Sequence, residues 1–192
     1  MVQLFTLYSG WAVKTTTLPS GEAFLVKVLL PGDLIGLESV LSGPSRHSVH
    51  AATDVTYCTF DHRQISAMLS MPSLARRLVV LLLAEQRRTY ERLAVVGACN
   101  ARRNFAHFVL DLFQRLRERQ MARDNGFRVP LSSMQLADAL GLTTVHLNRV
   151  LRGFRDDRIL TLENHTLTIH DLAALREIAA VSPSPAKGSP LL

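Results

Sequence analysis

The stretch at residues 131–154 constrains the fold more than any other part of the sequence. It reads as two short helices around a tight turn, because apolar residues recur at helical spacing on both sides of Gly141. Glycine most easily adopts the left-handed conformation that ends a helix. The apolar stripe of the first helix consists of Leu136, Ala137 and Leu140, and that of the second of Leu147, Val150, Leu151 and Phe154.

Hydroxyl side chains stand where both helices should begin. Ser132 or Ser133 can cap the first helix and Thr143 or Thr144 the second, because a side-chain oxygen accepts a free N–H group of the first turn. This arrangement is typical of a helix-turn-helix, but two packed amphipathic helices with a solvated face would give the same local pattern. The polar face of the second helix carries His146, Asn148, Arg149, Arg152 and Arg155.

Two runs of strand-forming residues follow, at 159–162 and 166–169, on either side of a short polar turn. Such a pair predicts a β-hairpin. A helix-turn-helix followed by a hairpin is a winged helix. We expect residues 127–129 to form a strand that pairs with this wing, and a last helix to begin at Asp171.

Residues 1–60 alternate between short strand-forming runs and turn-forming residues. The runs lie at 4–8, 11–18, 24–30, 34–41, 48–52 and 55–60. Their spacing of roughly ten residues favours a β-sandwich or barrel over a parallel sheet.

A helical region begins at Asp61 with a short helix over 61–69, followed by a long helix over about 73–97. The first half of the long helix has almost no polar side, so we expect it to be buried on more than one side. One side can pack on the sheet, and the other against the same helix of a second copy. The next helix is predicted at 104–121, with three arginines facing solvent: Arg115, Arg117 and Arg119.

The net charge of +6 is unevenly placed. Residues 1–71 hold 4 Lys and Arg against 5 Asp and Glu, whereas residues 72–192 hold 18 against 11. Because attraction to phosphate supplies most non-specific DNA affinity, a basic half that contains the helix-turn-helix favours a DNA-binding protein. We expect the two cysteines, Cys58 and Cys99, to be buried free thiols.

The order of these parts resembles the Crp/Fnr family of bacterial transcription regulators. The resemblance rests on Pro31-Gly32-Asp33-Leu34-Ile35-Gly36, on His47-Ser48-Val49-His50-Ala51, on residues 131–151 and on Leu167-Thr168-Ile169-His170-Asp171. It implies an α+β fold: a truncated cyclic-nucleotide-binding-like β-sandwich (jelly roll) at 1–71, a long dimerisation helix at 72–98 and a winged helix-turn-helix at 99–181. A disordered Pro/Ser-rich tail is expected at 182–192.

The resemblance also implies a homodimer that binds double-stranded DNA at a two-fold symmetric site, with RNA polymerase as a further partner. It places Thr144, Val145 and Arg149 at the base-reading positions. The DNA-binding candidates are Thr143, Thr144, Val145, His146, Asn148, Arg149 and Arg152. The candidates for the dimer interface are Leu74, Leu78, Leu82, Thr89, Leu93 and Val96.

The chain departs from the family in three respects. The family's sensor domain normally begins with a helix and further strands, and about 50 residues of this kind are missing here, a length common for part of a domain. Members that bind cyclic nucleotides carry a Gly-Glu pair and later an Arg-Ser pair, whereas here Gly36 is followed by Leu37 and Arg46 by His47. The cysteine group that holds an iron–sulfur cluster in other members is also missing, so we expect no cofactor and no response to cyclic AMP.

Two other classes of function are open to the sequence. An enzyme is the first, but the chain contains no Gly-x-Ser-x-Gly nucleophile motif, and His47 and His50 fall on opposite faces of a strand, which makes them poor metal co-ligands. The second is a protein-interaction module whose helix-turn-helix does not bind DNA specifically. No apolar run approaches the ~20 residues that span a bilayer, and the N-terminus lacks the features of a signal peptide, so we expect a cytoplasmic protein without a membrane partner.

Overall fold

A computed structural model describes residues 4–19 and 21–179. The sensor region forms two three-stranded antiparallel sheets, with strand orders β4-β1-β6 and β3-β2-β5. The strands are β1 (Leu4–Ser9), β2 (Ala12–Thr17), β3 (Ala23–Leu29), β4 (Leu34–Ile35), β5 (His47–Ala51) and β6 (Thr56–Phe60). This confirms the predicted sandwich-like sensor. The tail expected at 182–192 lies outside the described residues.

The prediction of a single strand over residues 34–41 was wrong. The strand stops at Ile35, and a short helix, α1, follows at Leu37–Ser42. Gly36 has a φ of 91°, which turns the chain out of the extended conformation. Its carbonyl then accepts a hydrogen bond from the Val40 N–H at 3.2 Å, closing the first helical turn.

Three helices lead from the sensor region to the winged helix: α2 (His62–Ser70), α3 (Pro72–Ala98) and α4 (Ala101–Glu118). α2 begins with a capping box between Asp61 and Gln64. α4 begins three residues before the predicted position, because the Asn100 side chain accepts a hydrogen bond from the Arg103 N–H and caps the helix. No residue of α3 is buried within the single chain, so the burial predicted for it is not provided by the sensor sheets.

The winged helix has the predicted order of elements. Its strands are β7 (Gly126–Arg128), β8 (Leu160–Glu163) and β9 (Thr166–Ile169), and its further helices are α5 (Ser133–Leu140), α6 (Thr144–Asp156) and α7 (Leu172–Ala179). The three strands pair antiparallel in the order β7-β9-β8, which confirms that the strand before the helix-turn-helix pairs with the wing.

A single apolar core runs from the sensor region into the winged helix. Trp11, Val28 and Leu30 from the β3-β2-β5 side belong to the same buried cluster as Phe105 and Phe154. α5 packs against β3, so the helix-turn-helix rests directly on the sensor sheet. A displacement of that sheet would therefore change the packing of α5.

The expectation that Arg115 faces solvent was wrong, because Arg115 is only 5% exposed. Its guanidinium donates to the Val28 carbonyl and to the Asp33 carboxylate, both at 2.8 Å. Arg119 is half-buried and donates to the other oxygen of Asp33 at 2.7 Å, whereas Arg117 is exposed as predicted. The sensor turn at Asp33 supplies the counter-charge that makes burial of Arg115 tolerable.

The expectation of two buried thiols was also wrong. Cys58 is exposed on β6, an edge strand, and Cys99 is half-buried where α3 ends. In the described ranges, no single helix is long and apolar enough to cross a membrane. The helical segments 63–70 and 72–98, taken together, have the length and composition of a membrane span, but they meet at a bend of 97°.

Candidate DNA-binding surface

The helix-turn-helix is fixed by the local contacts that its sequence predicts. The Ser132 side chain accepts a hydrogen bond from the Gln135 N–H at 3.1 Å, and the Gln135 side chain accepts one from the Ser132 N–H at 2.9 Å. Gly141 ends α5 with a φ of 65°, in the left-handed region. Thr143 then caps α6 by accepting from the His146 N–H at 3.2 Å.

α6 has one buried and one exposed face. Leu147, Val150 and Phe154 are buried, with Leu147 and Phe154 at 0% exposure. On the other side Val145 is 70% exposed, although it is apolar. All seven DNA-binding candidates are exposed: Thr143, Thr144, Val145, His146, Asn148, Arg149 and Arg152. The first two turns of α6 therefore present a continuous, mostly polar surface with Val145 and Arg149 one turn apart.

The wing is a tight hairpin between β8 and β9. Asn164 and His165 have φ values of 49° and 60°, as the two central residues of a type I′ turn require. The His165 carbonyl accepts a hydrogen bond from the Val129 N–H at 2.7 Å, which ties the turn to the end of β7. This bond fixes the tip of the wing to the segment that leads from β7 into α5.

Arg102 in the first turn of α4 supports the far end of α6. Its guanidinium lies over the Phe154 ring, 4.5 Å from the centroid, and forms an ion pair with Asp157 at the C-terminus of α6. Gly153 leaves room for this side chain, because a Cβ atom there would lie 3.2 Å from Nη1 of Arg102. The sequence carries no local signal for this contact, since Arg102 and Asp157 are 55 residues apart.

Arg92 of α3 supports the other helix of the motif. It donates to the Ala139 carbonyl at 2.6 Å and to Oδ1 of Asn104, and Asn104 in turn donates to the Leu140 carbonyl at 2.8 Å. The last carbonyls of α5 thus receive partners from α3 and α4. Burial lowers the pKa of Arg92 to about 10, and the charge of Asp111 partly opposes this shift.

The candidate dimer residues differ in exposure along α3. Leu82, Leu93 and Val96 are 48%, 68% and 43% exposed, whereas Leu74 and Leu78 are half-buried and Thr89 is exposed. Other apolar side chains of α3 are exposed as well, among them Val79, Leu83 and Tyr90. An exposed apolar surface of this extent is typical of an interaction site.

A cavity of about 600 Å³ lies beside the turn at Gly36 in the sensor region. Leu37 and Glu38 both line it, and Glu38 accepts a hydrogen bond from the Ser45 hydroxyl at 3.2 Å. Arg46 is exposed and does not line the cavity. Among the residues that the structure describes, no group of three or more His, Cys, Asp and Glu side chains is placed to hold a metal ion.

Comparison with known proteins identifies two families in this chain. Residues 105–178 match the Crp-like helix-turn-helix domain, and residues 1–71 match the cyclic nucleotide-binding domain. The chain is 28% identical over 183 residues to the transcriptional activator protein FnrL of Cereibacter sphaeroides, covering 91% of this chain and 71% of FnrL. It is 24% identical to the anaerobic regulatory protein of Aggregatibacter actinomycetemcomitans, covering 95% of this chain and 71% of that protein.

Solved structures support the fold over nearly the whole chain. FixK2 from Bradyrhizobium japonicum superposes with a TM-score of 0.81 at 23% identity, covering 94% of this chain and 88% of FixK2. A transcriptional regulator of the CRP family from Thermus thermophilus superposes with a TM-score of 0.74 at 24% identity, covering 96% and 91% of the two chains.

Proposed function

We propose, from the premise that the chain belongs to the Crp/Fnr family of transcription regulators, that it binds a two-fold symmetric operator as a homodimer and reads bases with the first two turns of α6. A transcription regulator of this type acts through its helix-turn-helix. The observation that carries the proposal is that Val145 and Arg149 are exposed on one face of α6, whereas Leu147, Val150 and Phe154 are buried on the other. We further propose that the chain binds rather than catalyses, works in the cytoplasm and has RNA polymerase as a partner.

Arg149 is the proposed main base contact. An arginine can donate two hydrogen bonds to O6 and N7 of guanine, which is worth about 1–3 kcal/mol of discrimination. Val145 lies on the same side and can contact a thymine methyl group. Thr143, Thr144, His146, Asn148 and Arg152 are proposed to flank these contacts, with the Arg152 side chain on phosphate.

Selection of bound sites from random DNA tests this proposal. We expect a palindromic site, and we expect Arg149→Ala to relax selection at one position of each half-site. Arg155→Ala is the matched control, because Arg155 is exposed on the last turn of the same helix. Loss of affinity by Arg149→Ala that is equal on all sequences would mean that Arg149 contacts only phosphate, and would refute its assignment.

The proposed dimer interface is the exposed apolar surface of α3. It contains the candidates Leu74, Leu78, Leu82, Thr89, Leu93 and Val96. We extend it to Val79, Leu83 and Tyr90, because they are at least as exposed as Val96 and lie within about 80° of Leu93 around the helix. Pairing two copies of α3 would remove this surface from water.

We also propose that the chain does not respond to cyclic AMP. Leu37 offers no acceptor to a ribose hydroxyl, and a buried hydroxyl without a partner costs about 1–3 kcal/mol. Arg46 does not line the cavity, so it supplies no cation to a cyclic phosphate there. Saturable micromolar binding of cyclic AMP in a calorimetric titration, with tighter DNA binding, would contradict this proposal.

A further inference from the structure

A second cavity, of about 380 Å³, lies where the β3-β2-β5 sheet, α3, α4 and α5 meet. We call it the junction cavity. Its volume falls in the range of about 300–1,000 Å³ that small-molecule sites occupy. Lys27 from the sheet, Arg88 and Arg92 from α3, His107 from α4 and Ala139 from α5 contribute to its wall.

The junction cavity is distinct from the cavity beside Gly36. The two share part of their lining, including Lys27 and Glu85. Arg92, His107 and Phe108 line only the junction cavity, whereas Leu37 and Ser39 line only the other. Substitutions can therefore address each cavity separately.

Cationic side chains outnumber carboxylates in the wall of the junction cavity. Five Lys and Arg residues face three Asp and Glu residues. The carboxylates already have partners: Glu85 pairs with Lys27 at 2.6 Å, Asp111 with Arg115 at 3.8 Å, and Glu91 with Arg87 at 3.9 Å. Four of the five cations also pair with a carboxylate: Lys14 with Glu38, Lys27 with Glu85, Arg88 with Glu118 and Arg115 with Asp33. Within the described residues, the unpaired positive charge of the wall is therefore that of Arg92.

Arg92 carries the least compensated of these charges. Its two described hydrogen bonds go to neutral oxygens, the Ala139 carbonyl and the Asn104 amide, and within the described residues no carboxylate lies within 4.0 Å of it. Its guanidinium carbon lies 5.7 Å from the centroid of the Phe108 ring. A cation held away from water without a paired anion is costly, so an anion brought to this wall would be stabilised.

Other wall side chains lack acceptors too. In the part of the chain that the structure describes, Nε of Arg115 and Nδ1 of His107 are buried without a hydrogen-bond partner. Nε of arginine is always a donor. Apolar residues complete the wall, among them Leu25, Val28, Phe108 and Leu112.

We propose that the junction cavity binds a small organic carboxylate with an apolar body, the carboxylate against Arg92 and Arg88 and the body against Phe108 and Leu112. A charge-assisted hydrogen bond to guanidinium is the strongest interaction this wall offers. The apolar part of the wall excludes a fully hydrated inorganic anion as the best-fitting ligand.

Such a ligand would couple the sensor region to the DNA-binding surface. It would contact α3, α4 and the sheet, and Arg92 also holds the last turn of α5 through the Ala139 carbonyl. Occupancy would therefore bias the position of the helix-turn-helix, and DNA would change the affinity for the ligand by the same factor. This coupling rests on the proposed function, whereas binding in the cavity does not.

A fluorescence titration of the full chain with 2-naphthoate tests the site, with neutral 2-naphthamide as the matched ligand. We expect saturable binding of the carboxylate and binding at least about tenfold weaker for the amide, because the amide cannot form a charge-assisted hydrogen bond. Equal binding of both would overturn the anion site.

Variants locate the bound carboxylate. Arg92→Gln and Arg88→Gln should each weaken 2-naphthoate about tenfold, whereas Arg77→Gln, at an exposed position of α3 outside the cavity, should not. Arg88→Gln keeps the experiment decisive if Arg92→Gln fails to fold. Binding that is lost in Ser39→Phe and kept in both arginine variants would place the ligand in the cavity beside Gly36 and overturn the proposal. If saturating 2-naphthoate left the affinity for the DNA site obtained by selection unchanged, only the coupling between the junction cavity and DNA binding would be overturned.

Discussion

The winged helix buries most of its apolar stripes, whereas the central helix, α3, leaves many of its apolar side chains exposed. In residues 101–179 the apolar stripes of α4, α5, α6 and α7 meet one another and the wing, and many of their residues are below 5% exposed. The first half of α3 is also strongly apolar, but no residue of this helix is buried, and Leu93 is 68% exposed. The winged helix completes its core within one chain, whereas the exposed apolar surface of α3 is the one for which we propose a second copy.

The difference follows from how many elements each region offers. A helix stripe can be buried only against another element, and α4 to α7 with three strands provide these within about 80 residues. α3 is a single 27-residue helix whose main contacts within the chain are with α2 and α4. Stability of the winged helix should therefore be independent of concentration, and stability of α3 should depend on it.

The largest expected effect is in the core of the winged helix. Phe154→Ala removes a fully buried ring that packs on Phe105 with 5.6 Å between centroids. We expect it to lower the free energy of unfolding by about 3–5 kcal/mol in urea denaturation, because a cavity is left behind. Val145→Ala, on the exposed face of the same helix, should change it by less than about 0.5 kcal/mol. A loss below about 1 kcal/mol for Phe154→Ala would mean that this core is not the rigid region described.

The winged helix could be predicted from sequence because its signals are local. Ser132, Gly141 and Thr143 each act within four residues, and the alternation in β8 and β9 is read in the same way. Arg115 was misjudged because its partner, Asp33, lies 82 residues away. A charged residue near a helix C-terminus ordinarily faces water, and nothing in its own neighbourhood indicates a buried carboxylate.

Short-range sequence patterns also gave a wrong prediction where a segment can form either a strand or a helix. Residues 37–42 have strand-forming neighbours, but the conformation of Gly36 decides for a helix. The supports of the candidate surface, Arg92 and Arg102, could not be found from sequence, because each acts on a helix that folds from a distant segment. The exposed face of α6 itself was fully predicted.

The second-largest loss of stability is expected at Asp33, where the sensor region contacts the end of α4. Asp33 accepts hydrogen bonds from Arg115, from Arg119 and from the Leu30 N–H at 2.7–3.0 Å. Asp33→Ala leaves two largely buried cations without this carboxylate, and we expect a loss of about 3 kcal/mol in thermal unfolding. Asp157→Ala breaks a much more exposed ion pair, with Arg102, and should cost at most about 1 kcal/mol. Equal losses would show that burial does not distinguish the two pairs.

A smaller effect is expected at the surface of α3. Leu93→Glu places a charge in the proposed dimer interface, where burial of one leucine is worth about 1.5–3 kcal/mol. Sedimentation should therefore show a dimer dissociation constant raised at least about tenfold. Val80→Glu is the control, because Val80 is 41% exposed but lies about 140° from Leu93 around the helix, outside the proposed interface. A wild-type chain that sediments as a monomer at micromolar concentration would remove the contrast between α3 and the winged helix.

The smallest effect is expected where the two regions touch, at His107 of α4. Burial lowers the pKa of His107 below its ordinary value of 6.5, Arg92 lowers it further, and Asp111 and Glu91 oppose both. As the pH falls through 6.5 the unfolded chain takes up the proton before the native one does. Stability is therefore highest above 6.5 and declines towards the lower native pKa, below which it levels off.

Denaturation in urea at a series of pH values from about 7.5 to about 5 measures this decline. His107→Gln should flatten the curve over that range, because the group that titrates differently in the two states is gone. Gln114→Ala, at an exposed position of the same helix, changes no titratable group and should leave the shape of the curve unchanged. An unaltered slope in His107→Gln would mean that α3 and α4 do not exclude water from this ring, and that the contact between the two regions is looser than the Arg92 hydrogen bonds indicate.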